Sequence, residues 1–342
     1  MTHTQSGKMH TLSVTALILA GLSPALAGFN ASRNDNVAIY WGQNSAQSKG
    51  VDPKGPAQDR LSTYCDDPSV DIVLLSFLVA LNGTGGEPEL NFANLGSARE
   101  RSGNSTQCDN STTPMTCPAI EEDIKYCQEK DVTVMLSIGG AASKEQGWKD
   151  EQDSIDAGLK VWQMFGPDQH IPGLIRPFGS AVVDGFDIAF EHAVSHVTAF
   201  GKAISNGTQE HMKEHGSQFW MSASPICELP NNTPAIDATL NQIKLDILFI
   251  QFYNNWPCDA NGQQNFIQWN DFTVKKNYVF FAGLPGNEKA APESGYIPPE
   301  ELKRNFRKVK EMSQFRGAVL WDASQAWWND NYQQKVKEEL QS

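Results

Sequence analysis

The chain has 342 residues and six cysteines, with a formal net charge of −13 at pH 7 and a sequence pI near 5.0. So acidic a surface repels phosphate backbones and argues against a nucleic-acid partner, while nine tryptophans and seven tyrosines suit a neutral ligand better. Beyond the N-terminus no stretch is long and apolar enough to span a bilayer, so no membrane partner is expected.

The chain opens with a weakly basic start around Lys8 and an apolar run over residues 12–22. Pro24 follows, and then the small-residue sequence Ala25-Leu26-Ala27 before Gly28. That is the layout of a secretory signal cleaved after Ala27, which makes 1–27 a leader and 28–342 the folded protein; an anchor would need about 18 or more uninterrupted apolar residues. The polar stretch 335–342 argues against a lipid-anchor signal, so the product is expected to be extracellular and soluble. Oxidising surroundings then make disulfides of the cysteines. Fifteen pairings are possible for six cysteines. Cys108 and Cys117 are close enough for a small loop, Cys65 and Cys127 flank them, and Cys227 and Cys258 each lie near a proline. Sequons at Asn30, Asn82, Asn104, Asn110, Asn206 and Asn231 are compatible with glycosylated loops.

Short apolar runs recur at 37–41, 71–77, 132–138, 182–188, 218–223, 246–252, 278–283 and 317–321. Between them lie stretches of helical character, among them 118–130, 154–165, 193–214, 234–243 and 299–312, with 333–340 after the last run. Strands alternating with helices pair in parallel through right-handed crossovers, and eight such units close into a TIM (β/α)8 barrel of the α/β class. About 315 residues in one domain suit a barrel. An open doubly wound sheet competes, but it would want a glycine-rich phosphate turn after the first strand, and Trp41-Gly42-Gln43-Asn44 is not one. The polar loops 82–117 and 140–153 follow the second and third strands, on the face that would carry a site.

The fourth run, Val182-Val183-Asp184-Gly185-Phe186-Asp187-Ile188-Ala189-Phe190-Glu191-His192, carries carboxylates inside an apolar strand. A carboxylate enters such a strand only with a partner or a task. Residues 187, 189 and 191 alternate onto one face, with Glu191 at the C-terminal lip where a parallel barrel does its chemistry. Asp184 and Asp187 also fit as strand-end carboxylates satisfied by Ser137, a tyrosine or backbone groups, and His192 as a local packing residue. No histidine spacing or C-x-x-C suggests a metal, no cofactor is implied, and there is no G-x-S-x-G elbow. Ser137-Ile138-Gly139-Gly140 reads as a tight turn where backbone approaches something closely.

Residues 183–191 resemble the signature of family 18 glycoside hydrolases, the chitinases, in which Asp-Gly-x-Asp-x-Asp-x-Glu closes the fourth barrel strand. Four more segments are similar to the plant and fungal class III (hevamine-like) endochitinases. They are Ile39-Tyr40-Trp41-Gly42-Gln43-Asn44, Val134-Met135-Leu136-Ser137-Ile138-Gly139-Gly140, Ile250-Gln251-Phe252-Tyr253-Asn254-Asn255 and Gly317-Ala318-Val319-Leu320-Trp321. The cysteine layout is similar too, with a nested pair and a Cys227/Cys258 pair. The resemblance implies hydrolysis of β-1,4-linked N-acetylglucosamine in chitin, with the substrate's own acetamido oxygen as nucleophile; nothing in the sequence suggests more than a monomer. It implies Glu191 as proton donor, Asp187 as support, Tyr253 on the acetamido carbonyl, Trp321 under the distorted sugar, and Tyr40, Gln43 and Gln251 as polar contacts of the same subsite.

The chain departs from the pattern at Ala189, where the family has its middle aspartate. A methyl group neither accepts the acetamide hydrogen bond nor offsets the charge of the oxazolinium ring, and losing one electrostatic stabiliser costs roughly 10²–10³ in rate. Asp187 lies four strand residues from Glu191, about 13 Å along the backbone, too far to replace it directly. Weakened hydrolysis is therefore expected, with a chitin-binding lectin or inhibitor as the alternative.

Overall fold

Runs rich in β-branched and aromatic residues form the strands, and those buried on both faces read as nearly unbroken apolar stretches. The computed structural model describes residue 1 and residues 29–342 apart from 49, 53, 84–86, 94–107, 109–114, 168, 229–238, 256–257 and 259–262. The expected leader, the sequons Asn104, Asn110 and Asn231, most of the loop 82–117 and half of the predicted helix 234–243 lie outside those residues.

The eight runs become β1 (Asn36–Trp41), β2 (Ile72–Ala80), β4 (Thr133–Gly139), β5 (Gly185–Ala189), β6 (Trp220–Ala223), β7 (Ile247–Gln251), β8 (Val279–Pro285) and β9 (Phe315–Trp321). A two-residue strand that the sequence did not signal, β3 (Glu89–Leu90), pairs antiparallel with β2. The others pair in parallel in the order β1-β9-β8-β7-β6-β5-β4-β2, and a β1–β2 pairing closes the ring. The architecture is the closed eight-stranded barrel, in a single domain, and the open sheet is excluded.

Helices α1 (Leu61–Cys65), α2 (Pro118–Glu129), α3 (Glu151–Phe165), α4 (Val197–His215), α5 (Gln263–Lys276), α6 (Pro299–Val309), α7 (Ala323–Trp328) and α8 (Tyr332–Gln341) surround it. Their starts follow local chemistry: α3 is capped by Asp150, whose side chain accepts from the Asp153 N–H, and α2 and α6 open on proline. The predicted helix 193–214 starts late, at Val197, because Ser195 is bonded to the backbone of Gln146 and His196 is left-handed at φ 61°. Among the described residues no helix is long and apolar enough to cross a membrane.

Side-chain alternation divides the core in two. Val37, Ile39, Val134, Leu136, Phe186 and Ile188 face outward onto the helices, while Ala38, Tyr40, Leu74, Met135, Ala189, Phe249 and Phe281 fill the barrel. Phe29 closes the floor: its ring lies 4.9 Å from Trp220 and 5.7 Å from Phe281, and its N–H donates to Thr133 Oγ1. On this floor the carboxylates of Asp71, Asp184 and Asp246 accept the backbone N–H groups of Val37, Val134 and Met221, each on a neighbouring strand. Asp184 also accepts from Gln128 Nε2 at 3.0 Å, so it ends the chain's approach to the sheet and β5 begins at Gly185 rather than at 182. The Lys337 ammonium of α8 reaches the buried Asp71 at 2.7 Å, and Gln341 reaches Asp35 at 3.1 Å. Disulfides join Cys65 to Cys127, Cys108 to Cys117, and Cys227 to Cys258.

Candidate active site

Asp187 is fully buried inside the barrel, and the strand register supplies its partners. Ser137 on β4 and Ser222 on β6 stand level with it on either side, and their hydroxyls donate at 2.6 and 2.8 Å. Ser224 adds a third hydroxyl at 2.9 Å and lies 2.7 Å from the Tyr40 hydroxyl. Burial pushes the Asp187 carboxyl up, and the three serine bonds offset this only in part, so it stays raised.

Ala189 is the next inward residue and is 2% exposed. It pairs with Gly139 on β4, and the Gly140 N–H donates to its carbonyl at 2.9 Å. A Cβ on Gly139 would come within 2.8 Å of the Ala189 backbone, at φ +116°, and one on Gly140 would overlap the Phe77 ring at 2.6 Å. The two glycines thus give the close approach expected of that turn, and what they approach is the end of β5 and the Phe77 ring.

Glu191 lies two residues past β5, on an open pocket of about 210 Å³ walled by Tyr40, Phe77, Ala189, Gln251, Tyr253 and Trp321, with Ala141, Ile226, Asn254 and Asn255 completing the lining. Solvent reaches the side chain through the mouth, but protein surrounds it on most sides, and this burial raises the carboxyl above its usual 4.5 against the hydrogen bond with Gln251 and the charge of His192. Among the described residues Glu191 is the one carboxylate on the pocket wall. Tyr253 is 7% exposed, and burial with the nearby Glu191 keeps its phenol neutral. The Trp321 ring packs 5.5 Å from Tyr40 and 6.0 Å from Phe77, leaving its remaining surface to the pocket. His192 is held locally, its Nε2–H donating to the Glu145 carbonyl at 2.6 Å.

Glu191, Tyr253, Tyr40, Gln251 and Trp321 therefore meet in one pocket, with Asp187 beneath it. Gln43 does not join them. Its Nε2 donates to the carbonyls of Ser76 and Asn91 at 2.8 and 2.9 Å, holding two loop segments together. Phe77, Ala141, Ile226, Asn254 and Asn255 are wall residues that reading the sequence missed. Phe77 reads as one more strand hydrophobic; Asn254 and Asn255 follow Tyr253 directly, but their placement depends on a turn in which Asn254 is left-handed and Asn255 Nδ2 donates to the Tyr253 carbonyl at 2.6 Å. Among the described residues no three histidine, cysteine or acidic side chains are grouped to hold a metal.

Such a wall of four aromatic rings, two of them phenols, with neutral amides and one protonatable carboxyl suits an uncharged sugar bearing an amide. Among the described residues it offers one carboxylic acid and no second carboxylate on the pocket wall to act as a nucleophile.

No protein-family model matches the chain. It is 35% identical over 340 residues to endochitinase 33 of Trichoderma harzianum, covering 96% of this chain and 98% of that one. It is likewise 35% identical over 348 residues to a class III chitinase of Arthroderma benhamiae, covering 97% and 93%. Its fold matches the crystal structure of a xylanase and α-amylase inhibitor protein from Scadoxus multiflorus, with a TM-score of 0.66 and 27% identity over 90% of this chain and 97% of that one.

Proposed function

Because this chain belongs to the class III chitinases of glycoside hydrolase family 18, we propose that it binds chitin oligomers in the pocket at the strand ends. We propose further that it cleaves their β-1,4 linkages by a substrate-assisted, retaining route weakened by Ala189. The observation that carries this reading is a proton-donating carboxyl, Glu191, sharing one pocket with Tyr253, Gln251 and Trp321. Glu191 gives its proton to the glycosidic oxygen while the substrate's acetamido oxygen closes on the anomeric carbon, and the leaving oligomer departs. Tyr253 donates its hydroxyl proton to the acetamido carbonyl, and Trp321 supports the ring. Water, deprotonated by the returned Glu191 carboxylate, then opens the oxazolinium with retention.

The weak step is the second charge. The positive oxazolinium and its N–H would face a methyl group at Ala189, and the uncompensated charge costs roughly 10²–10³ in rate. That same residue favours a second reading, a chitinase-like lectin or inhibitor that keeps the pocket and has lost turnover, and the fold shared with an inhibitor protein supports it. Calorimetry with chitotetraose beside a hydrolysis assay separates the two. Binding with slow cleavage, raised roughly 10²–10³-fold by Ala189→Asp and abolished by Glu191→Gln, is the expected result. Cleavage at an ordinary chitinase rate, unchanged by the reversion, would contradict the role given to residue 189. Binding with no cleavage in either the native chain or the reverted one would favour the lectin. We also read the protein as a secreted, glycosylated monomer.

A further inference from the structure

The hydroxyl groups beneath the pocket can be assigned by counting protons. Each serine has one. Those of Ser137, Ser222 and Ser224 all point at the Asp187 carboxylate, at 2.6, 2.8 and 2.9 Å. Since the Ser224 proton is engaged there, the 2.7 Å contact between Ser224 and Tyr40 is made with the tyrosine's own proton. The Tyr40 oxygen is then left with lone pairs on the pocket side, and among the described residues no other hydrogen bond reaches it.

Its position is fixed as well as its polarity. The ring is 3% exposed and wedged between Trp321 and Phe77, with centroids 5.5 and 6.4 Å away. Tyr40 and Ala189 wall the same pocket beside Glu191. The neighbouring amides are tied to the backbone, with Gln251 Nε2 donating to the Ser224 carbonyl and Asn255 Nδ2 to that of Tyr253.

We propose that the Tyr40 hydroxyl, oriented by Ser224 and through it by Asp187, accepts the acetamide N–H of a bound N-acetylated sugar in place of the carboxylate absent at residue 189. This rests on reading the pocket as an N-acetylglucosamine site. A neutral phenol oxygen orients the amide but cannot offset a full positive charge, so it supports recognition and leaves turnover slow.

A double-mutant cycle tests it, with chitotetraose affinity as the readout and hydrolysis measured alongside. Tyr40→Phe keeps the ring and removes the acceptor. In the native background it is expected to weaken affinity by about fivefold to tenfold. In the Ala189→Asp background, where a carboxylate takes the N–H, the loss is expected to stay below about twofold. Ser224→Ala, which lets the tyrosine proton turn toward the pocket, is expected to weaken affinity in the native background without touching the ring. Equal losses in both backgrounds, or none in either, overturn the inference. If the native chain does not bind chitotetraose at all, the reading of the pocket fails instead.

Discussion

Glu191 can act as a general acid only while it holds its proton. Burial raises its carboxyl above the usual 4.5, whereas the hydrogen bond with Gln251 favours the charged form. Because the protonated form is the working one, kcat/KM should fall as pH rises through that raised value. Gln251→Met removes the opposing bond, so the falling limb should move to higher pH, as a pH–rate profile would record; a limb that stays put or moves down would mean that Gln251 does not tune the acid. The carboxylate, the tyrosine and the tryptophan of this pocket could be read from the sequence because each sits in a segment whose neighbours are equally recognisable. Phe77 could not, since nothing separates a strand phenylalanine in the core from one at the strand's end until the ring of strands is closed. Gln43 stands in an equally recognisable segment, yet its amide nitrogen is held by two carbonyls that only the fold brings to it.

The element that carries these residues depends on its floor as much as on its lip. Asp184 receives the Val134 N–H and Gln128, and burial raises its carboxyl to about 6. A folded-state value above the unfolded 3.8 means the native state holds this proton more tightly. The associated stability is therefore present below about pH 4 and lost as pH rises through about 6. Asp184→Asn keeps an oxygen for the Val134 N–H and cannot ionise. Melting temperatures of the two proteins should accordingly diverge in the variant's favour between about pH 4 and pH 6, and a constant gap would show that the charge at 184 does not matter. Strand positions were legible to within a few residues because two-sided burial leaves unbroken apolar runs. The start of β5 was not, because Asp184 carries a strand-like sequence into a side-chain cap. The strand β3 escaped notice because two residues hold no periodicity.

For the molecule as a whole, the two ends of the described fold meet on the floor. Phe29 fills the barrel from below, two residues after the proposed cleavage point at Ala27. A secreted product should therefore begin at Gly28 and exceed its polypeptide mass until its glycans are removed, which N-terminal sequencing and intact mass before and after deglycosylation would check. An N-terminus elsewhere, or a bare polypeptide mass, would count against that reading. Closure of the barrel was legible from the count of alternating units, whereas the seating of Phe29 was not, because a single aromatic beside a leader looks like its tail. At the other end, Lys337 and Gln341 hold α8 to Asp71 and Asp35, which lead into β2 and β1. Residue 342 thus lies at the opposite pole from the pocket at the strand ends. Protein coupled to a bead through residue 342 would stand with its mouth outward and still meet insoluble polymer, whereas coupling at the rim would turn that mouth to the support.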